Sequence, residues 1–197
     1  MNNVRLSQLW MAAAVTAMSL VAASPDIRLV DAVKHSDKAA IKALLPQKID
    51  LNAQDSDGST ALHWAARKDD VETAGALIRN GANVKAANRY GVTPLSLAAI
   101  NGNAAMIELL LKAGADANTI LPEGETVLMT AARTGKLDAV KSLLAHGADI
   151  NFKEARRGQT ALMWAAAEGN ADVVAELIER GAHMHAKTKG GFTPFLF

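Results

Sequence analysis

His183 and His185 stand two apart in the stretch GAHMHAK. In an extended segment, side chains at that spacing face the same way, so the two imidazoles have the chemistry to share a metal ion or to titrate near neutral pH. A metal site needs further ligands, and the neighbouring sequence supplies no third one. His63, in TALHWA, is the other candidate for chemistry, but no acid or nucleophile is tied to it by spacing. Trp64 and Trp164 sit in matching contexts, HWAA and MWAA, beside small residues, and are expected to pack into a core rather than stack on a ligand. Met129 and Met163 read as core gap-fillers. The chain has no cysteine, which excludes disulfides, thiolate metal sites and a cysteine nucleophile. No phosphate loop, serine-nucleophile motif or histidine–glutamate metal helix is present. No catalytic residue, cofactor or metal is expected.

The elements that would position these residues follow from a repeat. Glycines recur at Gly58, Gly91, Gly124, Gly158 and Gly191, with spacings of 33, 33, 34 and 33. Two residues after each comes a threonine: Thr60, Thr93, Thr126, Thr160 and Thr193. Gly-Ala pairs follow at 81–82, 114–115, 147–148 and 181–182. A period of this size marks stacked units. Within one unit, Thr93 is placed to cap a helix and Pro94 to open it. Gly102 ends that helix, as Gly135 and Gly169 do in the next units. A second helix carries Ile107, Leu110 and Leu111 on one stripe and stops at Gly114. One unit cannot cover its own apolar stripe, so neighbours must stack.

The residues of this pattern resemble the ankyrin repeat. Its Thr-Pro-Leu-His-x-Ala hallmark is represented by TALHWA at 60–65, TPLSLA at 93–98, TVLMTA at 126–131 and TALMWA at 160–165. The closing Gly-Ala-Asp-x-Asn appears as GADAN at 114–118 and GADIN at 147–151. The resemblance covers residues 25–197 and implies an all-α solenoid of helix-turn-helix units with extended turn fingers. It also implies local hydrogen bonding between Thr60 and His63. The expected organisation is a capping repeat at 24–57, full repeats at 58–90, 91–123, 124–157 and 158–190, and the start of a further repeat at 191–197. In the cap, Arg28, Asp31 and Lys34 should face outward. At the other end, Phe192, Phe195, Leu196 and Phe197 have no following partner in the sequence. This favours a chain that stops inside a repeat over one whose aromatics fold back on the stack.

The resemblance implies a non-catalytic scaffold that binds another protein through its groove and finger tips. The positions free to vary there are Asp57, Arg67, Lys68, Arg89, Tyr90, Ile100, Asn101, Glu123, Arg133, Arg156, Arg157 and Glu168, with Ser56, Ser59, Val92, Glu125, Thr134, Gln159 and Ala167 among their neighbours. Two alternatives stand beside it. One is an exported small-molecule or metal-binding protein, or a hydrolase, using His183 and His185. The other is a repeat module of a longer protein with a catalytic or membrane domain.

Composition bounds the rest. The 197 residues suit one domain; half are hydrophobic and only 4% aromatic, so alanine and leucine dominate the apolar content. Formal net charge is +1, from 21 basic and 20 acidic residues without a long block of one sign. No electrostatic footprint for nucleic acid results. LSQLWMAAAVTAMSLVAA, residues 6–23, carries no charge, and Val21 and Ala23 are small residues two apart. Residues 1–23 are expected to be a signal peptide cleaved before Ser24, leaving no membrane segment in the mature form and a periplasmic or secreted location. A retained anchor and a buried helix are the rival readings; Ser7, Gln8, Thr16 and Ser19 weaken a lipid span.

Overall fold

The computed structural model describes residues 26–196, so the expected signal peptide lies outside the described residues. Ten helices fall into five pairs: α1 (Arg28–Lys34) with α2 (Lys38–Leu44), α3 (Ala61–Arg67) with α4 (Val71–Arg79), α5 (Pro94–Asn101) with α6 (Ala104–Lys112), α7 (Val127–Thr134) with α8 (Leu137–Ala145), and α9 (Ala161–Ala167) with α10 (Ala171–Glu179). A 3₁₀ turn, Pro194–Leu196, follows. Among the described residues there is no strand, only an isolated antiparallel bridge between Ile120 and Thr126.

Local chemistry keeps the helices short. Thr93, Thr126 and Thr160 take extended backbone at the helix start, and their hydroxyls accept from the N–H of Ser96, Met129 and Met163. In the same role at the second helices, Asp37, Asp70 and Asn103 accept from Ala40, Thr73 and Met106. Each cap satisfies a donor that the helix itself leaves unpaired. Gly102 and Gly135 close α5 and α7 in the left-handed conformation, both at φ 69°. Ser36 (φ 58°) and Asp69 (φ 55°) hold a similar conformation without being glycine, which costs more but serves the same turn.

Stacking follows from side-chain size. The first helices meet through Ala61, Ala65, Ala98, Ala99, Ala131, Ala132 and Ala165, all sealed from solvent. The second helices meet through Leu77, Ile107, Leu110, Val140, Leu143, Val173 and Leu177. Small residues line the contacts of the row α1-α3-α5-α7-α9, and larger ones those of the row α4-α6-α8-α10. The first helices, with the fingers before them, make the inner row and the second helices the outer row. In the first pair, Leu29, Val30 and Val33 are buried, while Arg28, Asp31 and Lys34 are exposed. At the far end, Pro194 is buried beside α9, whereas Phe195 stays 67% exposed and does not cover the stack.

Side-chain amides tie consecutive units. Asn52 Oδ1 accepts from Asn83 N–H at 2.7 Å, Asn118 Oδ1 from Asp149 N–H at 2.7 Å, and Asn151 Oδ1 from His183 N–H at 2.8 Å. Lys85 occupies the equivalent position in the second unit and interrupts this ladder. Two pairs of fingers are also joined through backbone: Arg89 N–H donates to Asp57 C=O at 3.0 Å and Lys189 N–H to Arg157 C=O at 2.8 Å.

Candidate functional site

All twelve residues expected on the working face are exposed. The structure brings six of them to separate clefts. Asp57, Arg67 and Tyr90 line a cleft of about 220 Å³ with His63, Trp64 and Leu97. Glu123, Arg156 and Arg157 line another of about 270 Å³ with Glu125 and Trp164. A third, of about 380 Å³, runs from Arg156 and Arg157 to Thr188, Lys189 and Phe192. Ile100 lies one helical turn beyond Leu97 on α5 and is 48% exposed, beside Tyr90's cleft. Arg89 and Glu168 line none of these clefts.

Two of the twelve have side-chain hydrogen bonds to the scaffold. Asn101 Nδ2 donates to the C=O of Ala66 (3.3 Å) and Arg67 (3.1 Å) and to Asp69 Oδ1 (3.0 Å), closing the C-terminus of α3 from the next unit. Lys68 Nζ donates to Ser36 Oγ at 2.8 Å. Ser59 is buried with Gly58 and Thr60; its N–H donates to Asp55 Oδ1 and its hydroxyl accepts from Asn88 Nδ2 of the next finger.

The tryptophans differ from expectation. Both pack against the core yet stay only partly buried, and each forms a wall of an inner cleft. Lys34 Nζ lies 4.8 Å and the Arg67 guanidinium 5.5 Å from the Trp64 ring centre; Arg133 lies 5.5 Å from that of Trp164. These are cation–π distances. Because first-helix residues of successive units stand side by side, a cation in one unit covers the tryptophan of the next. Sequence reading placed Lys34 on the outside but missed its contact with Trp64, and missed both tryptophans as surface elements. Their shared repeat position, with a cation at the last or next-to-last residue of the preceding unit's first helix, was the available signal.

Electrostatics in the fingers is dominated by backbone donors. Burial would raise the Asp55 pKa, but the Trp64 N–H, the N–H groups of Ser59 and Asp57, and the Lys34 charge together hold it below the ordinary carboxylate value. Burial of Glu154 is likewise outweighed by N–H groups from Gln159, Arg157, Arg156 and Gly158. His63 is sealed between units. Its Nδ1 accepts from Thr60 N–H at 3.1 Å, so Nε2 carries the proton and donates to Val92 C=O at 3.0 Å. Burial lowers its pKa, against the raising effects of Val92 C=O and Asp55. This is a strut between the second and third units, and matches the local bonding that the resemblance implied.

His183 and His185 do not lie on an extended segment. The backbone turns there, with Ala186 N–H donating to His183 C=O at 3.1 Å, and both side chains are exposed. In the equivalent turns, Asn83, Asp116 and Asp149 accept from the N–H two residues on, a stabilising bond that no His183 contact replaces. Among the described residues, no group of three or more His, Cys, Asp or Glu side chains is placed to hold a metal ion.

Paired short helices in two rows, with charged and aromatic side chains on the inner row and fingers, define a helical repeat solenoid. The chain belongs to the ankyrin-repeat family: the family model for ankyrin repeats (3 copies) matches residues 29–120 and 111–188. No curated protein matches the chain. Ankyrin repeats are generally protein-interaction modules and typically non-catalytic.

Proposed function

We propose that this protein is a non-catalytic scaffold that grips another protein through its concave groove and fingers. The observation that carries the reading is exposed apolar surface: Tyr90 is 65% exposed in the cleft it shares with Trp64 and Leu97, and Ile100, on the same helix as Leu97, is 48% exposed. Neither side chain serves the stack, and aromatic and arginine side chains in such a setting are typical binding hot spots. Replacing Arg89, Tyr90 and Ile100 together by alanine should abolish capture of the partner by the immobilised protein. Each truncation in a desolvated contact costs about 2 kcal/mol or more of binding. Folding stability should change by less than about 0.5 kcal/mol per site, because none lies in the stacking core. The His183→Ala, His185→Ala double variant should capture normally. Capture that survives the groove variant and fails in the histidine variant would reverse the assignment in favour of a histidine site.

Export is part of the same proposal. It rests on the uncharged run at 6–23 and on Val21 and Ala23. Among the described residues no helix is long and apolar enough to cross a membrane. Amino-terminal sequencing of the protein recovered from expressing cells should read from Ser24; a sequence beginning at Met1 would contradict cleavage.

A further inference from the structure

Trp64 and Trp164 occupy the same position of the repeat, but their indole N–H groups meet different fates. Asp55 Oδ1 accepts from the N–H of Asp57 (3.0 Å) and Ser59 (2.9 Å), which leaves Oδ2 to accept from Trp64 Nε1 at 2.9 Å. The finger before Trp164 reads EARRG where the earlier one reads DSDG, one residue longer. The carboxylate of Glu154 is consumed by that longer loop. Its Oε2 accepts from Arg156 N–H (2.6 Å), and its Oε1 from Arg157 N–H (2.7 Å) and Gln159 N–H (3.0 Å). Trp164 Nε1 is consequently buried with no hydrogen-bond partner in the protein. A buried donor in that condition is costly and calls for an acceptor.

The surroundings specify the acceptor. The same cleft of about 270 Å³ is lined by the exposed Arg156 and Arg157, and neither guanidinium is engaged in an ion pair or side-chain hydrogen bond. The Arg133 guanidinium lies over the Trp164 ring. Glu123, Glu125 and Glu154 line the cleft as well, the Glu154 carboxylate being already engaged by the backbone N–H groups of its own loop. The indole is fixed by its packing on the core, and the exposed Arg133 over its ring is held by no ion pair or side-chain hydrogen bond.

We infer that this cleft receives the carboxylate of an aspartate or glutamate side chain of the bound protein, which accepts from Trp164 Nε1 as Asp55 does from Trp64, with Arg156 and Arg157 supplying the positive charge. The inference rests on the reading of the chain as a protein-binding scaffold. Charge-assisted bonds to an indole N–H and two guanidinium groups would select a carboxylate over its neutral amide.

Nuclear magnetic resonance of the full ¹⁵N-labelled chain tests it without the natural partner. The probe is a blocked octapeptide of alternating glycine and aspartate, added at constant ionic strength, beside the same peptide with asparagine. The indole N–H resonances of Trp64 and Trp164 are assigned by Trp64→Phe and Trp164→Phe. The Trp164 resonance is expected to shift saturably with the aspartate peptide and to stay in place with the asparagine peptide, while Trp64, already bonded to Asp55, does not move. Arg156→Ala with Arg157→Ala should weaken the aspartate peptide about tenfold, a loss of about 1.4 kcal/mol. An unmoved Trp164 resonance, or equal shifts with both peptides, overturns the carboxylate site. Survival of partner capture in the Arg89/Tyr90/Ile100 variant would instead sink the groove reading, a separate outcome on a separate measurement.

Discussion

Leu110→Ala is expected to lower the unfolding free energy by about 3–5 kcal/mol, read as a fall in the urea midpoint. Leu110 is wholly sealed on α6, which packs against α4, α5 and α8. Units on both sides hold the walls of the cavity apart, so little of the lost volume can collapse. Leu177 on α10 is equally sealed, but α10 meets only α8 and α9 among the described helices. Leu177→Ala should cost about 2–4 kcal/mol. In a stack where each unit contacts only its neighbours, that loss should appear first as faster amide exchange in α9 and α10, with the central units protected. A cost under about 1 kcal/mol for Leu110→Ala would be incompatible with the stacked core.

His63→Ala should destabilise by about 2–4 kcal/mol, because it leaves Thr60 N–H and Val92 C=O unpaired in a buried joint and opens a cavity. The wild-type protein should also lose stability as the pH falls below neutral. Burial lowers the folded pKa of His63 from 6.5, so the unfolded chain takes up a proton that the folded chain resists. Stability is then fully present above the unfolded value and declines as the pH drops through 6.5 toward the folded one. A second decline should follow at lower pH. Asp55, Asp70 and Glu154 have depressed folded pKa values, and their contribution is present above the ordinary carboxylate range and lost as the pH falls through those folded values. Urea midpoints of His63→Gln across pH should lack the upper decline and keep the lower one. Identical slopes in the two proteins near pH 6.5 would remove His63 from the pH response.

The caps and turns were legible because they are local. A threonine hydroxyl reaches the N–H three residues on whatever the rest of the molecule does, so Thr93, Thr126 and Thr160 could be assigned from spacing. The same holds for Gly102 and Gly135, whose φ of 69° is a demand of the turn itself. Asn101 shows the limit. It was read as a groove residue from its place at the end of a helix, and it does stand exposed, but its amide closes the helix of the preceding unit. That bond spans more than thirty positions, and nothing in the sequence near Asn101 distinguishes it from a free surface amide.

The sequence by itself determined the period, the helix pairs, the small residues of the inner row and the larger apolar residues of the outer one. Those are consequences of short-range backbone chemistry and of one unit's inability to bury its own stripe. Tertiary structure alone decided which polar groups are satisfied. Trp64 and Trp164 share their motif and their core packing, and the sequence showed even the spacing of 34, instead of 33, that leads into the Trp164 unit. Whether each indole finds a carboxylate depends on where a finger one residue longer points its acid, and on which backbone N–H groups that acid meets first. Hydrogen-bond directions are set to within a few tenths of an ångström by the packed neighbours, a precision that residue types and spacings do not encode.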